Sequence, residues 1–189
     1  MKNLKTIAIA LLVVVGTTTS IAQNKKINAD KSKINWVGKK VTGQHSGTIN
    51  LADGTLVFKG KALKGGSFTV DMPSITVTDL EAGKGKEKLE GHLKADDFFG
   101  TSKFATAKLT FKTIVKNKDN TYNVSADMTI KDITAPVSFV LTVKENTAST
   151  SFKVDRTKYE IKYGSGSFFD NLGDKAISDE FDLTVNLQF

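Results

Sequence analysis

The two histidines are the residues of this sequence best suited to proton transfer or metal binding. His45 lies in TGQHSG and His92 in EGHLKADD. A zinc site needs three or four ligands, and because the chain has no cysteine, carboxylates such as Asp71, Asp96 or Asp97 would have to complete one. The simpler interpretation is that each histidine forms a local hydrogen bond or lines the mouth of a pocket. We therefore predict no metal site.

The sequence shows no recognisable nucleophile or phosphate loop. Ser46 follows His45 directly, and neighbours on a strand point to opposite faces, so the two do not form a catalytic pair. The segment GKALKGGS from Gly60 has the glycine spacing of a Walker A loop, but Gly66 stands where the lysine must reach the phosphates. We predict a protein without catalytic residues or a catalytic cofactor. A small hydrolase or metal enzyme using His45 and His92 is kept as an alternative.

The basic residues argue against nucleic-acid binding. The chain carries 27 Lys plus Arg and 20 Asp plus Glu, a net charge of +7, and Arg156 is the one arginine. Proteins that read nucleic acids rely on arginine for bidentate contacts to phosphate and guanine. The lysines are also interspersed with acids, as on a solvated surface. We expect no nucleic-acid partner, whereas transient contact with an anionic membrane surface is compatible with this charge.

The first 22 residues have the pattern of a secretory signal peptide. Lys2 and Lys5 precede nine apolar residues, 7–15, and the polar stretch after them leads to Ser20-Ile21-Ala22, with small residues at the positions that signal peptidase reads. The apolar run is about half of the roughly 20 residues that a spanning helix needs. We predict cleavage after Ala22 and a mature domain of residues 23–189 that works outside the cytoplasm.

Strands with one apolar face dominate the rest of the chain. Phe181, Leu183, Val185, Leu187 and Phe189 alternate with polar residues, which is the period-two pattern of a strand. The same alternation runs through 124–130 and 137–143, with weaker versions at 34–37, 47–51, 56–58, 68–72, 109–111 and 152–154. Asp53-Gly54, Gly65-Gly66 and Lys118-Asp119-Asn120 are predicted turns between strands.

These patterns predict an all-β, single-domain protein of about eight antiparallel strands, arranged as a barrel or a sandwich. Leu89 and Leu93, four residues apart among charged residues, predict a short helix within 82–100, and a second helical turn is expected near 174–178. Twelve phenylalanines include the doublets Phe98-Phe99 and Phe168-Phe169 between strands. Such rings suit either the entrance of an apolar cavity or a plug at the end of a barrel.

In their order and spacing, six segments resemble the YceI family of polyisoprenoid-binding-like periplasmic proteins. The resemblance covers essentially the whole predicted mature chain, and the family tends to have proline at position 105 and glycine at positions 132 and 160, where this chain has Ala105, Asp132 and Glu160. The segments are SKINWVGKKVTGQHSGTINLADGTL from Ser32, GSFTVDMPSI from Gly66, KLEGHLKADDFF from Lys88, YNVSADMTIKDITAPVSF, VDRTKYEIKYGSG and AISDEFDLTVNL.

The resemblance implies a lipocalin-like barrel whose apolar channel holds an isoprenoid chain, such as a polyprenyl or quinone tail, or another amphiphile. The protein would then be a secreted carrier or sequestering protein, not an enzyme. The expected channel residues are Trp36, Phe58, Phe68, Val70, Met72, Phe98, Phe99, Phe111, Met128, Phe139, Phe152, Phe168 and Phe169.

Recognition of a polar head group requires a few polar side chains near the channel opening. The candidates are His45, Asp71, His92 and Arg156, each in or beside a segment that resembles the family. For Arg156 the alternative is an ion pair, with Asp155 or another carboxylate, that holds a loop. For Asp71 the alternative is a hydrogen bond to turn backbone.

An integral outer-membrane barrel is the rival interpretation of the same strands, because such barrels carry an alternating C-terminal segment like the one that ends in Phe189. Three tyrosines and one tryptophan are few for two aromatic girdles, and the helical region interrupts the strands. An exposed last strand would also allow a homodimer, so monomer and homodimer are both retained.

Overall fold

The computed structural model describes residues 22–189. The predicted signal peptide lies outside the described residues except for Ala22, which is the first residue of strand β1. Across the described part of the chain, no helix is long and apolar enough to cross a membrane.

Nine strands and one α-helix are formed within residues 22–189. The strands are β1 (Ala22–Lys26), β2 (Lys33–Lys40), β3 (Gly43–Lys59), β4 (Ala62–Val77), β5 (Thr106–Lys116), β6 (Thr121–Ile130), β7 (Ile133–Lys144), β8 (Thr147–Asp155) and β9 (Ile177–Gln188). Helix α1 is Lys86–Lys94, and short 3-10 helices are formed by Ala29–Lys31, Arg156–Tyr159 and Gly173–Lys175.

The sheet closes on itself as an eight-stranded antiparallel barrel. Each strand from β2 to β9 pairs with the next along the chain, and β2 pairs with β9. Strand β1 lies alongside the second half of β3, with Ala22 opposite Lys59 and Lys26 opposite Thr55. The predicted all-β, single-domain barrel with short helices is therefore confirmed, and the sandwich is excluded.

Alternation along each strand places apolar side chains inside the barrel and polar ones outside. On β6 the outward positions include Asn123 and Asp127. The inward positions of that strand are all buried: Tyr122, Val124, Ala126, Met128 and Ile130. Burial of such side chains, worth about 1.5 to 3 kcal/mol each, is the main force that closes the sheet.

The two ends of the barrel differ in the length of the segments that connect the strands. The end that we call the helix end carries the turn 41–42, the segment 78–105 with α1, the turn 131–132 and the segment 156–176. The opposite end, called the hairpin end, carries the tight turns 60–61, 117–120 and 145–146. Binding sites often lie on long connecting segments that a rigid barrel positions, so the helix end is where we look for a site.

Two of the predicted turns are wrong. Asp53-Gly54 lies inside β3, and Gly65-Gly66 lies inside β4. These glycines make room for rings: a Cβ atom on Gly54 would lie 2.8 Å from Cδ1 of Phe68, and one on Gly66 would lie 2.6 Å from Cε2 of Phe111. The third prediction, the turn at 118–120, is confirmed between β5 and β6.

The barrel wall is least complete between β7 and β8. Their pairing covers three residue pairs, from Thr142 opposite Ser149 to Lys144 opposite Thr147, whereas β6 and β7 pair over ten. Next to the last pair, Thr142 and Ser149, the Thr150 hydroxyl donates to the carbonyl oxygen of Val140 at 2.8 Å. We call the region between residues 133–141 and 150–155 the β7–β8 seam.

Candidate functional site

An apolar cavity of about 130 Å³ occupies the helix-end half of the barrel. The wall is built by strand alternation: Val70 and Met72 are two residues apart on β4, as are Phe181 and Leu183 on β9, so each pair points into the barrel. The lining residues are Ile34, Trp36, Gly38, Ile49, Val70, Met72, Ile75, Leu93, Phe98, Phe99, Ala107, Lys108, Leu109, Met128, Ile130, Arg156, Ile177, Ser178, Glu180, Phe181 and Leu183.

The segment after α1 roofs the cavity with aromatic rings. Phe98 and Phe99 are both buried, and their ring centroids are 5.1 Å apart in an edge-to-face arrangement. Glu90 on α1 fixes the helix to β4, because its Oε1 accepts from the Thr76 hydroxyl and from the Val77 N–H. These two hydrogen bonds lower the pKa of Glu90, so the anchor is ionised at neutral pH.

Arg156 is a buried cation in the cavity wall, with 2% of its side chain exposed. Its Nε donates to Ser178 O at 2.9 Å, Nη1 to Ile161 O at 2.7 Å and Nη2 to Ile177 O at 3.0 Å. Asp179 lies 3.7 Å from Nη2. Burial lowers the pKa of Arg156, but a guanidinium remains protonated in proteins. Arg156 therefore holds the segment 156–176 against β9.

Four phenylalanine rings inside the barrel, none of which lines the cavity, follow one another from strand to strand. Ring centroids are 5.5 Å apart for Phe68 and Phe111, 5.9 Å for Phe111 and Phe139, and 4.7 Å for Phe139 and Phe152. The strands that supply these rings are β4, β5, β7 and β8. We call this set the phenylalanine row, and it lies on the hairpin-end side of the cavity.

Exposed apolar side chains cluster at the helix end. Phe168 and Phe169 are 49% and 51% exposed, and Tyr163 and Val41 are exposed as well. The Lys162 ammonium lies 4.8 Å from the centroid of the Phe168 ring. We call these four apolar residues the rim patch. Large exposed apolar side chains at one end of a barrel are candidates for an interaction surface.

Comparison with known proteins identifies the family. The sequence profile of the YceI-like domain matches residues 26–189, nearly the whole described part of the chain. The chain belongs to the YceI family. No match was found among curated proteins.

Solved structures share the fold of this YceI-family chain at low sequence identity. BcnA of Burkholderia cenocepacia is 20% identical, with a TM-score of 0.68 over 85% of this chain and 98% of that one. A polyisoprenoid binding domain from Saccharophagus degradans, implicated in plant cell wall breakdown, is 13% identical, with a TM-score of 0.58 over 86% and 95%. The Campylobacter jejuni YceI protein is 17% identical, with a TM-score of 0.53 over 75% and 81%.

The expected channel residues divide into three groups in this YceI-family barrel. Trp36, Val70, Met72, Phe98, Phe99 and Met128 line the cavity. Phe58 and the four rings of the phenylalanine row lie outside its wall, and Phe58 packs on Phe189 with ring centroids 5.8 Å apart. Phe168 and Phe169 lie in the exposed rim patch.

The polar candidates do not converge on one mouth. Of the four candidates, only Arg156 lines the cavity. It pairs with Asp179 and holds a loop, as in the alternative interpretation of this residue from the sequence. Asp71 lies between Val70 and Met72 on β4, so its side chain points away from the cavity that these two residues line. It borders a separate groove. The two histidines are also outside the cavity wall.

Each histidine has a local structural contact. His45 Nδ1 lies 3.0 Å from Asp79 Oδ2. Although burial opposes ionisation of Asp79, hydrogen bonds from the Ser46 N–H and from His45 hold the pKa of that carboxyl below its usual value. The His92 ring packs edge-on against Tyr163, with centroids 4.4 Å apart. Within residues 22–189, no three His, Asp or Glu side chains converge as a metal site requires.

Several wall residues were missed by the sequence analysis. Leu109, Phe181 and Leu183 were already placed on apolar strand faces, so the alternation was the available signal. The predicted channel residues are mostly aromatic residues and methionines, so most aliphatic residues of the wall are absent from that prediction. The smallest side chain of the wall, Ala107, gave no signal at all, because an alanine in a strand predicts neither a cavity nor a packed core.

Proposed function

We propose that this protein binds an isoprenoid-type lipid, such as a quinone or a polyprenyl compound, in the barrel cavity and carries or sequesters it outside the cytoplasm. The observation that carries the proposal is the apolar cavity within a YceI-family barrel. A fold relative described as a polyisoprenoid binding domain supports the choice of ligand class. Binding alone is proposed, without a catalytic step.

The cavity supplies affinity through burial of hydrocarbon. A cavity of about 150 Å³ engineered in another protein holds benzene, so the 130 Å³ here is suited to about one isoprene unit. Burying five carbon atoms contributes roughly 4 kcal/mol before ordering costs, at about 0.8 kcal/mol for each methylene-sized group. Apolar walls are sufficient for this contribution, and a polar head group then lies outside the cavity.

A cavity-filling substitution tests the proposal. Ala107→Phe places a ring inside the cavity without removing an existing contact, whereas Thr110→Phe places the same ring on the outer face of the same strand. The protein, purified gently, is offered farnesol and a short-chain ubiquinone and examined by native mass spectrometry. We expect uptake by the natural protein and by Thr110→Phe, and none by Ala107→Phe. Absence of uptake by the natural protein, or equal uptake by all three, would refute the proposal.

Secretion to the periplasm is part of the proposal: the sequence pattern of residues 1–22 supports export, and the family resemblance implies the periplasm as the compartment. Expression of the full chain in a Gram-negative host should release, by osmotic shock and without detergent, a protein whose first residue is Gln23. Retention of Met1 would contradict the proposed cleavage. A requirement for detergent would favour the outer-membrane alternative instead.

We further propose that the rim patch makes transient contact with a membrane surface, where isoprenoid lipids reside. Phe168 and Phe169 supply apolar rings, and the Lys162 ammonium, which pairs with Glu160 at 2.5 Å, lies beside the Phe168 ring. Flotation with phosphatidylethanolamine and phosphatidylglycerol vesicles should be weakened by the double change Phe168→Ser and Phe169→Ser. Val115→Ser removes a comparably exposed apolar group from β5, outside the rim patch, and is expected to have no effect. Equal flotation of all forms would exclude this contact.

A further inference from the structure

The hairpin end of the barrel carries a concentration of positive charge. Within three residues of its turns 60–61, 117–120 and 145–146, six lysines are exposed, and the acidic residues are Asp119 and Glu145. The chain as a whole has a net charge of +7, so much of the excess lies at this end. We call the six lysines the basic surface: Lys59, Lys61, Lys64, Lys116, Lys118 and Lys144.

Direct contacts join the three turns of the hairpin end. The Val143 N–H donates to the carbonyl oxygen of Asn120 at 2.9 Å, which ties the second turn to the third. The Phe189 N–H donates to the carbonyl oxygen of Asn146 at 2.8 Å, and the Phe189 ring packs on Phe58 beside the first turn. The lysines of the basic surface therefore belong to one continuous face of the molecule.

Neighbouring acids do not neutralise the basic surface. None of its six lysines forms an ion pair with a carboxylate of residues 22–189. At the helix end, by contrast, Lys103 pairs with Asp96 at 2.6 Å. Lys84 likewise pairs with Glu81 at 2.6 Å. The charge of the hairpin end is therefore free to attract an anionic partner.

The chemistry of the basic surface suits a diffuse layer of negative charge. Lysine is a hydrated point charge on a flexible stem, and it lacks the planar fork with which arginine holds one carboxylate or phosphate. Lysine is also depleted from protein–protein interfaces, whose binding energy is concentrated in buried aromatic and arginine residues. Among the described residues, the exposed aromatic side chains are Tyr163, Phe168 and Phe169, all at the opposite end. These features favour the head groups of an anionic bilayer over an acidic protein.

We propose that the basic surface docks the barrel electrostatically on a membrane that contains anionic phospholipids. Each lysine held near such a membrane strengthens binding about fivefold, and no side chain has to enter the bilayer. The rim patch lies at the other end, so a barrel docked in this way turns its helix end, and the cavity within it, away from the membrane. This inference goes beyond the proposed function, because it does not depend on the guest in the cavity.

Two matched triple variants test the docking surface. The first removes one lysine from each turn and consists of Lys61→Gln, Lys118→Gln and Lys144→Gln. The control removes three exposed lysines from the helix end, which leaves the same net charge, and consists of Lys88→Gln, Lys158→Gln and Lys175→Gln. Both triples are made in the background of Phe168→Ser and Phe169→Ser, which removes the exposed phenylalanine rings of the rim patch.

Binding is measured by flotation with phosphatidylethanolamine vesicles that contain phosphatidylglycerol. At low salt the first triple should bind at least about tenfold more weakly than its background, and the control triple should change by less than about threefold. Binding of the background form should also fall with added salt and when phosphatidylcholine replaces phosphatidylglycerol, because both changes weaken the attraction. Uptake of farnesol, followed by native mass spectrometry, should be the same in both triples.

Three results would overturn the inference. Equal weakening of the two triples would show that net charge, and not the hairpin end, governs binding. Binding that does not depend on phosphatidylglycerol, or no binding by the background form, would exclude an anionic bilayer as the partner. Displacement by soluble glycerol phosphate, at an ionic strength matched with sodium chloride, would assign a discrete phosphate site instead. In each of these cases the test of the proposed function by guest uptake is unaffected.

Discussion

Replacing Arg156 by alanine is expected to lower the free energy of unfolding by about 3 to 5 kcal/mol. The variant leaves the carbonyl oxygens of Ile161, Ile177 and Ser178 without their donor and removes the cation beside Asp179. A hydrogen bond to a charged group contributes about 1.5 to 3 kcal/mol. The three bonds do not add fully, because two of them are only partly buried. Since small domains are stable by about 5 to 15 kcal/mol, this loss is large.

Urea unfolding followed by Trp36 fluorescence measures the effect. With a slope of about 2 kcal/mol per molar urea, the midpoint should fall by roughly 2 M. Arg156→Lys keeps a charge but not the planar fork of donors, so we expect it to recover less than half of the loss. Asp179→Asn removes the charge of the partly exposed ionic partner but keeps an oxygen that can accept from the Ser167 hydroxyl, so it should cost about 1 kcal/mol or less. A loss below about 1 kcal/mol in Arg156→Ala, or full recovery with lysine, would refute this account of the loop.

Three further outcomes are expected. Gly66→Ala must displace the Phe111 ring, since the new carbon would lie 2.6 Å from it; calorimetry should show a destabilisation of about 1 to 3 kcal/mol, and an unchanged melting temperature would contradict the packing. Lys131 and Asp132 both have positive φ, 51° and 60°, so Asp132→Gly should stabilise the turn by about 0.5 to 1 kcal/mol, as measured by urea midpoints, and any destabilisation would count against it. Hydrogen bonds from two lysines lower the pKa of Asp182 from 3.8, so its stabilisation is complete above that value and is lost as the pH falls through the lower folded pKa; urea midpoints from about pH 5 to pH 2 should decline, and less so in Asp182→Asn.

The strand faces could be predicted because burial imposes a strict alternation. On β9 every apolar residue that the pattern assigned to one face lies toward the interior, including the wall residues Phe181 and Leu183. Closure into a barrel, however, is a property of the pairing between β2 and β9. The resemblance to a family implied that closure, whereas the alternation left the barrel and the sandwich open.

Strand lengths were harder to predict, because irregular pairing disrupts the period. The alternation predicts separate strands at 47–51 and 56–58, yet both segments belong to the single strand β3. The register shift between Leu51 and Asp53 moves the inward face by one residue, so that the buried positions change from odd numbers up to Leu51 to even numbers from Gly54 onward. An alternation that changes phase in the middle resembles two short strands separated by a turn, and the Asp53-Gly54 pair strengthened that impression.

Glycines and aromatic doublets show why the site itself was only partly predictable. The sequence does not distinguish a glycine needed for its backbone conformation from one needed because a side chain would clash. Gly66 therefore indicated a turn, although its role is to leave room for the Phe111 ring. Phe98-Phe99 and Phe168-Phe169 have the same local pattern, but the first pair is buried in the cavity wall and the second is exposed. The difference arises from tertiary packing at the helix end, which no local pattern records.

The β7–β8 seam also bears on how this protein avoids aggregation. A strand edge without a full set of backbone partners is a template on which another chain can add a strand. Pro136 lies in the middle of the seam and has no N–H to donate, and the Thr150 hydroxyl already occupies the carbonyl oxygen of Val140. An incoming strand would therefore find fewer groups to pair with, so the barrel keeps a discontinuous wall while discouraging the edge-to-edge assembly that begins fibrils.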